Sequence, residues 1–307
     1  MEKFPCMTLI LVFFICYYPP LSGAQCAKTP IIFNFGDSNS DTGGFAAAYG
    51  NSYSSDRMCD GRLIIDFLCE SLKAAYLSPY LECLTSNFTN GVNFAVAGSK
   101  TVSKFPLFIL STQVHQFKRF QKSYLKLHSE GNTGVFSETD FAGALYTIDI
   151  GQNDLSGPLG CLPNMLANVG KINAPADYDN LGCLIHPNEV ASEFNKRLGQ
   201  LCEEMRSELN DSVIVYVDMY RIKYNIISDY ALYGFERPLM ACCGGGGAPY
   251  NANIGCGQNG STVCEKGSRY ISWDGIHYSE SANMIFAAQI ASKKFSTPPI
   301  SFDYFCS

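Results

Sequence analysis

Short apolar runs alternate with longer amphipathic ones along most of this chain. Four of the short runs read as buried strands: IIFNFG (31–36), VNFAVAG (92–98), ALYTIDIG (144–151) and SVIVYVD (212–218). They are rich in β-branched and aromatic residues, and three of them stop at a glycine or acidic turn, as strands of a parallel sheet buried on both faces do. The segments GRLIIDFLCESLKAAY (61–76), TQVHQFKRFQKSYLKLH (112–128) and PNEVASEFNKRLGQLCEEMRSEL (187–209) carry helical spacing. In the last, Val190, Phe194, Leu198 and Leu201 fall three or four residues apart, which predicts a face laid on the sheet. Alternating strand and helix predicts a layered α/β fold. Sheets of that kind place their sites beyond the carboxyl ends of the strands.

Three of the runs deliver polar residues to that edge: Gly36-Asp37-Ser38, Gly98-Ser99 and Gly151-Gln152-Asn153-Asp154. A serine hydrolase needs a nucleophile beside a base, with donors aimed where charge develops on the attacked carbonyl. Ser38 can serve as nucleophile, and its own N–H, the Gly98 N–H and the Asn153 side-chain amide can form the oxyanion hole if the three strands are neighbours. The chain has four histidines. His115 and His128 sit in a polar helical pattern, and His186 has no acidic residue close before it. His277 follows Asp274 by three residues in WDGIH, so one loop carries an imidazole and a carboxylate to orient it. Taken singly these residues have plainer readings: Asp37 and Ser38 as a helix cap, Asn153 as a turn residue, Gly98 as a position of unusual backbone angles. The combination carries the functional reading.

The first 24 residues combine a charged start, an apolar run from Met7 to about Tyr18 and small residues at Ser22 and Ala24. This predicts a signal peptide over 1–24 and a single domain over 25–307, because the run is short for a bilayer span; a retained anchor is the alternative. Roughly 280 residues can bury one large core, and no linker or repeat divides them. Of 14 cysteines, Cys6 and Cys16 leave with the leader, and the even remainder allows full disulfide pairing in an oxidising compartment. Sequons at Asn87, Asn210 and Asn259 fit the same secreted, extracellular or cell-wall route. A net charge of −6 with no dense basic run disfavours nucleic acid. CCGGGG (242–247) lacks the lysine of a phosphate loop and reads as a disulfide-tethered loop. The cysteines show no paired spacing with histidines, so no metal site is expected.

In order along the chain, FNFGDSNSDTGG, CDGRLIIDF, VNFAVAGS, ALYTIDIGQNDL, GPLGCLP, YGFERPLMACCGGGG and WDGIHYSESAN resemble the plant GDSL esterase/lipase family of SGNH hydrolases, from about Ile31 to Ser292. The resemblance implies a three-layer α/β/α fold of the flavodoxin-like kind. It puts Ser38, Gly98, Asn153 and His277 on the family-defining positions, with Asp274 completing the triad. It further implies hydrolysis of carboxylic esters without a cofactor, on a small-molecule ester such as an acyl lipid, an acetylated glycan or a specialised-metabolite ester. A monomer is expected.

One departure bears on the fold. Only Asp154, Leu155, Ser156 and Gly157 separate Asn153 from Pro158, whereas the family pattern places a helix and a core strand between those blocks. A crossover needs at least ~10 to 12 residues, so one internal strand and its helix are expected to be missing. The simplest repair pairs ALYTIDIG directly with SVIVYVD. Two rival functions follow: a catalytically impaired secreted protein, truncated or splice-derived, that binds an apolar or glycan ligand, and a glycosidase using Asp37 and Asp274. The second leaves Ser38 and His277 unexplained.

Overall fold

The computed structural model describes residues 29–50, 56–82, 84, 86–103, 108–155, 159–169 and 174–306; the expected signal peptide lies outside them. In chain order its strands are β1 (Ile32–Gly36), β2 (Gly91–Asn93), β3 (Leu145–Asp149), β4 (Tyr216–Val217), β5 (Cys243–Gly244), β6 (Thr262–Val263) and β7 (Ser296–Thr297). The α-helices are α1 (Gly44–Tyr49), α2 (Ile64–Ser71), α3 (Leu110–Ser129), α4 (Glu138–Ala142), α5 (Pro163–Val169), α6 (Ile185–Glu208), α7 (Met219–Ser228) and α8 (Glu280–Ala291).

The central sheet is parallel in the order β2-β1-β3, with Ile32 opposite both Gly91 and Leu145 and Gly36 opposite Asp149. Successive residues of β1 point to opposite faces. Ile32 packs with Leu63, Ile65, Cys69 and Leu72 on the side of α2. Phe33 and Phe35 pack with Phe94, Phe117, Phe120, Phe136 and Phe141 on the side of α3 and α4. The Phe33 ring stacks on Phe141 at 5.4 Å and meets Phe117 edge-on at 5.2 Å. Such ring pairs add about 0.5–1.5 kcal/mol each beyond the area they bury. Helices on both faces of a parallel sheet give the expected α/β/α layering. A second core joins the turn before α5 to α7 and α8 through Leu162, Ile222, Ile226, Ile285 and Phe286.

The fourth run departs from expectation. Of SVIVYVD only Tyr216–Val217 is strand, and it pairs antiparallel with Ser296–Thr297 in a sheet of its own. The direct pairing of ALYTIDIG with SVIVYVD does not form, and among the described residues β3 has β1 as its sole strand neighbour. Tyr146 and Ile148 are 42% and 63% exposed as a result. The face of α6 expected on the sheet is covered only in part: Phe194 is half-buried beside Gly151, while Val190, Leu198 and Leu201 are exposed. A helix stripe buries itself on whatever layer lies beneath it, and among the described residues no strand beyond β3 extends the central sheet.

Among the described residues the disulfides are Cys161–Cys183, Cys242–Cys264 and Cys243–Cys256, while Cys59, Cys69 and Cys202 are free. Cys59 and Cys69 are buried beside α2, where each acts as a small apolar residue. The tethering expected for CCGGGG is present.

Candidate active site

The turn after β1 is buried and internally bonded. Asp37 Oδ1 accepts the Asn39 N–H at 3.0 Å, a local turn rather than a helix cap. The capping role falls to Asp41, whose carboxylate accepts the N–H groups of Gly43, Gly44 and Phe45 ahead of α1 and also that of Ala97 at 2.7 Å. That last bond draws the turn ending β2 against the turn ending β1. Ser38 is 4% exposed. Among the described residues its Oγ has no hydrogen-bond partner, and the N–H groups of Ser38 and Gly98 are likewise unused. Gly98 is exposed and takes φ +81°, a conformation a side chain would strain.

The loop before α8 holds the candidate base. His277 Nδ1 lies 2.7 Å from Asp274 Oδ2, and Asp274 Oδ1 accepts the N–H groups of Ile276 and His277. Burial pushes the Asp274 carboxyl up, but the His277 ring and these two backbone donors outweigh it and hold the group below its ordinary range. The loop is fixed at both ends. Ser279 caps α8 by accepting the Ala282 N–H. On the other side Cys242 and Cys243 donate their N–H groups to the carbonyls of Ser272 and Trp273, which ties the loop to the disulfide pair.

A relay of side chains joins the two halves. Asn39 Nδ2 donates to Gln152 Oε1 at 2.9 Å, and Gln152 Nε2 donates to the Ile276 carbonyl at 3.3 Å. The residue after Ser38 is thereby linked to the residue before His277. Asn153, next to Gln152, donates through its side-chain amide to the Ser99 carbonyl at 3.0 Å. Ser38, Gly98, Asn153 and the Asp274–His277 pair thus lie around one sheet edge, without a hydrogen bond between Ser38 Oγ and His277. His115, His128 and His186 take no part in these bonds, and Asp37 and Asp274 sit in different turns with different partners.

Residues that the sequence reading passed over do much of the positioning. Gln113 of α3 is fully buried and pairs with both backbone groups of Gly36, donating to its carbonyl at 2.8 Å and accepting its N–H at 2.9 Å. It therefore holds the residue just before Asp37. Asn34 and Asn93 bond side chain to side chain, and Asn93 donates on to the Ser40 carbonyl. The one sequence signal for these groups was the presence of Asn and Gln inside otherwise apolar strands and on the inner face of a helix, where a buried amide needs partners.

The profile of the GDSL-like lipase/acylhydrolase family matches residues 32–290. The chain is 43% identical to GDSL esterase/lipase LIP-4 of Arabidopsis thaliana, over 98% of this chain and 95% of that protein. It is 38% identical to GDSL esterase/lipase ENOD8 of Medicago truncatula, over 98% and 96%, and 36% identical to an esterase of Hevea brasiliensis, over 97% and 94%. The first of these alignments spans 360 positions although the chain has 307 residues, so at least 53 positions of it fall opposite gaps in this chain. A profile match over most of the chain, near-complete relatives at these identities and a parallel α/β sheet make this chain a member of the GDSL lipase/acylhydrolase family, the hydrolases of ester bonds.

Proposed function

We propose that the protein is a secreted serine esterase in which Ser38 is the nucleophile, His277 the general base and acid, and Asp274 the residue that orients the imidazole. Ser38 Oγ attacks the acyl carbonyl while His277 Nε2 takes its proton. The N–H groups of Ser38 and Gly98 and the Asn153 amide stabilise the oxyanion. His277 then protonates the leaving alcohol, and water, activated by the same imidazole, releases the acyl group. The observation that carries this reading is the Asp274–His277 pair joined to the Ser38 turn by the Asn39–Gln152–Ile276 relay, with two unused backbone donors beside it.

Acyl lipids, acetylated glycans and specialised-metabolite esters are the proposed substrate classes. The exposure of Asn87, Asn210 and Asn259 supports glycosylation, and the disulfides support an oxidising compartment. No helix of the described residues is long and apolar enough to cross a membrane. A second reading, a catalytically impaired ligand-binding protein, is favoured by one observation: Ser38 Oγ makes no hydrogen bond to His277.

A fluorophosphonate probe with a graded series of nitrophenyl esters separates the two. The esterase reading expects labelling at Ser38 and turnover that Ser38→Ala abolishes without loss of fold. An unlabelled, folded protein with no turnover supports the second reading, and turnover unchanged in Ser38→Ala removes Ser38 as nucleophile.

A further inference from the structure

The oxyanion donors proposed above come from three turns at one sheet edge: Ser38 after β1, Gly98 beyond β2 and Asn153 after β3. Donors on separate turns can stabilise one oxygen only if the turns keep a fixed spacing, to within about 0.5 Å.

One buried side chain bonds to two of these turns. Gln113 of α3 accepts the Gly36 N–H through Oε1 at 2.9 Å and donates through Nε2 to the Gly36 carbonyl at 2.8 Å. The same Nε2 lies 3.0 Å from Ser99 Oγ and 3.1 Å from the Phe108 carbonyl. The amide has two N–H bonds for these three acceptors, so one is shared. Its orientation is fixed, because a flipped amide would set N–H against the Gly36 N–H and oxygen against two carbonyls. Gly36 lies two residues before Ser38, and Ser99 directly follows Gly98. The third turn hangs on the same pair, since the Asn153 amide donates to the Ser99 carbonyl at 3.0 Å. Gln113 and Ser99 are both buried, so losing these bonds leaves polar groups unsatisfied rather than hydrated.

We propose that Gln113 is the positioning residue of the oxyanion hole: its carboxamide fixes the Ser38 turn against the Gly98–Ser99 turn and, through Ser99, the Asn153 amide. The proposal rests on the esterase reading of Ser38. It assigns to α3, which supplies none of the reacting groups, control over the transition state rather than over substrate binding.

The test compares Gln113→Met with the parent in the full chain; Met keeps the length of the side chain and removes its hydrogen bonds. Active serine is titrated to completion with a fluorophosphonate, nitrophenyl acetate gives KM and kcat per titrated serine, and a trifluoromethyl ketone gives the affinity for a tetrahedral adduct. In that adduct Ser38 Oγ bonds the ketone carbon, the carbonyl π bond opens to an oxyanion in the hole, and the serine proton passes to His277. Gln113→Met should keep KM, while kcat per titrated serine and ketone affinity fall together by about 10- to 100-fold. Ser99→Ala cuts the side-chain link between the two turns but leaves the Gly36 bonds and the Ser99 carbonyl in place. It should show the same pattern with a smaller fall, and it is read by the same criteria should Gln113→Met fail to fold. A folded variant with the parent's kcat per titrated serine and ketone affinity overturns the proposal. So does a loss confined to the titratable fraction, which marks a residue that only supports the fold, or a fall in kcat that ketone affinity does not share. A parent protein that is neither labelled at Ser38 nor active overturns the esterase reading first, and the proposal falls with it.

Discussion

Replacing Asp37 with Asn should make the stability of this protein less sensitive to pH. Asp37 is 1% exposed; its Oδ1 accepts both the N–H and the side-chain amide of Asn39, and its Oδ2 has no partner. Burial, followed by the charge of Asp149, pushes the carboxyl from its ordinary 3.8 up to about 7, against the opposing pull of the Asn39 N–H, Lys223 and His277. A carboxyl whose folded value is raised contributes stability that is fully present below 3.8, declines as pH rises and is gone above about 7. At about 1.4 kcal/mol per unit, a rise of roughly three units sets a ceiling of ~4 kcal/mol on the loss between pH ~4 and ~8. Asn keeps the Oδ1 acceptor and the shape but cannot ionise. Thermal melts of parent and variant from pH 4 to 8.5 should therefore show the variant gaining on the parent up to pH ~7 and holding that lead above it, by on the order of 5–10 °C for a chain of this length. A difference in melting temperature that is flat across this range, or that shrinks as pH rises, would refute the assignment of a buried, charge-averse carboxyl next to Ser38.

His277→Gln should lose nearly all ester hydrolysis and Asp274→Asn a large part, by as much as ~10⁴-fold in kcat, with fold retained by circular dichroism; equal loss in His186→Gln would reject the choice of base. Because the Asp274 carboxyl is held below its ordinary range, the pairing with His277 contributes stability above pH ~4 that is lost only as pH falls through the lowered value, and Asp274→Asn should flatten acid unfolding curves there. Cys242→Ser with Cys264→Ser should reduce labelling of Ser38 more than it reduces helix content, since the disulfide pair buttresses the loop through Ser272 and Trp273; proportional losses would show a global role. Inserting a helix and an apolar strand between Leu155 and Gly157 should raise the melting temperature and lower dye binding to exposed apolar surface, by covering Tyr146, Ile148 and the exposed part of the α6 stripe. Equal melting temperatures and dye binding would show that the open edge costs nothing.

Local chemistry was legible in the sequence. The apolar runs at 31–36 and 144–151 became β1 and β3, whereas of VNFAVAG only Val92 and Asn93 are strand, in β2, and the buried Phe94, Ala95 and Val96 continue as irregular chain. The Asp274–His277 spacing placed a carboxylate and an imidazole in one short loop, and the structure closes that contact at 2.7 Å. The Cys242 and Cys243 pair announced a tethered loop. Whatever depended on a neighbour distant in sequence was settled by tertiary structure alone. SVIVYVD has the composition of a core strand, but only Tyr216–Val217 is strand, and it pairs with Ser296–Thr297 and not with β3. The apolar stripe of α6 is covered only in part, with Phe194 half-buried near Gly151 and Val190, Leu198 and Leu201 exposed, since periodicity states which face a helix would bury and not whether a partner exists to bury it. Gln113 and Asp41 are ordinary polar residues in the sequence, and their weight comes from burial and from bonds to Gly36 and Ala97 at separations of more than fifty residues. A polar group acquires its role from the partners and the dielectric around it, and both are properties of the folded chain.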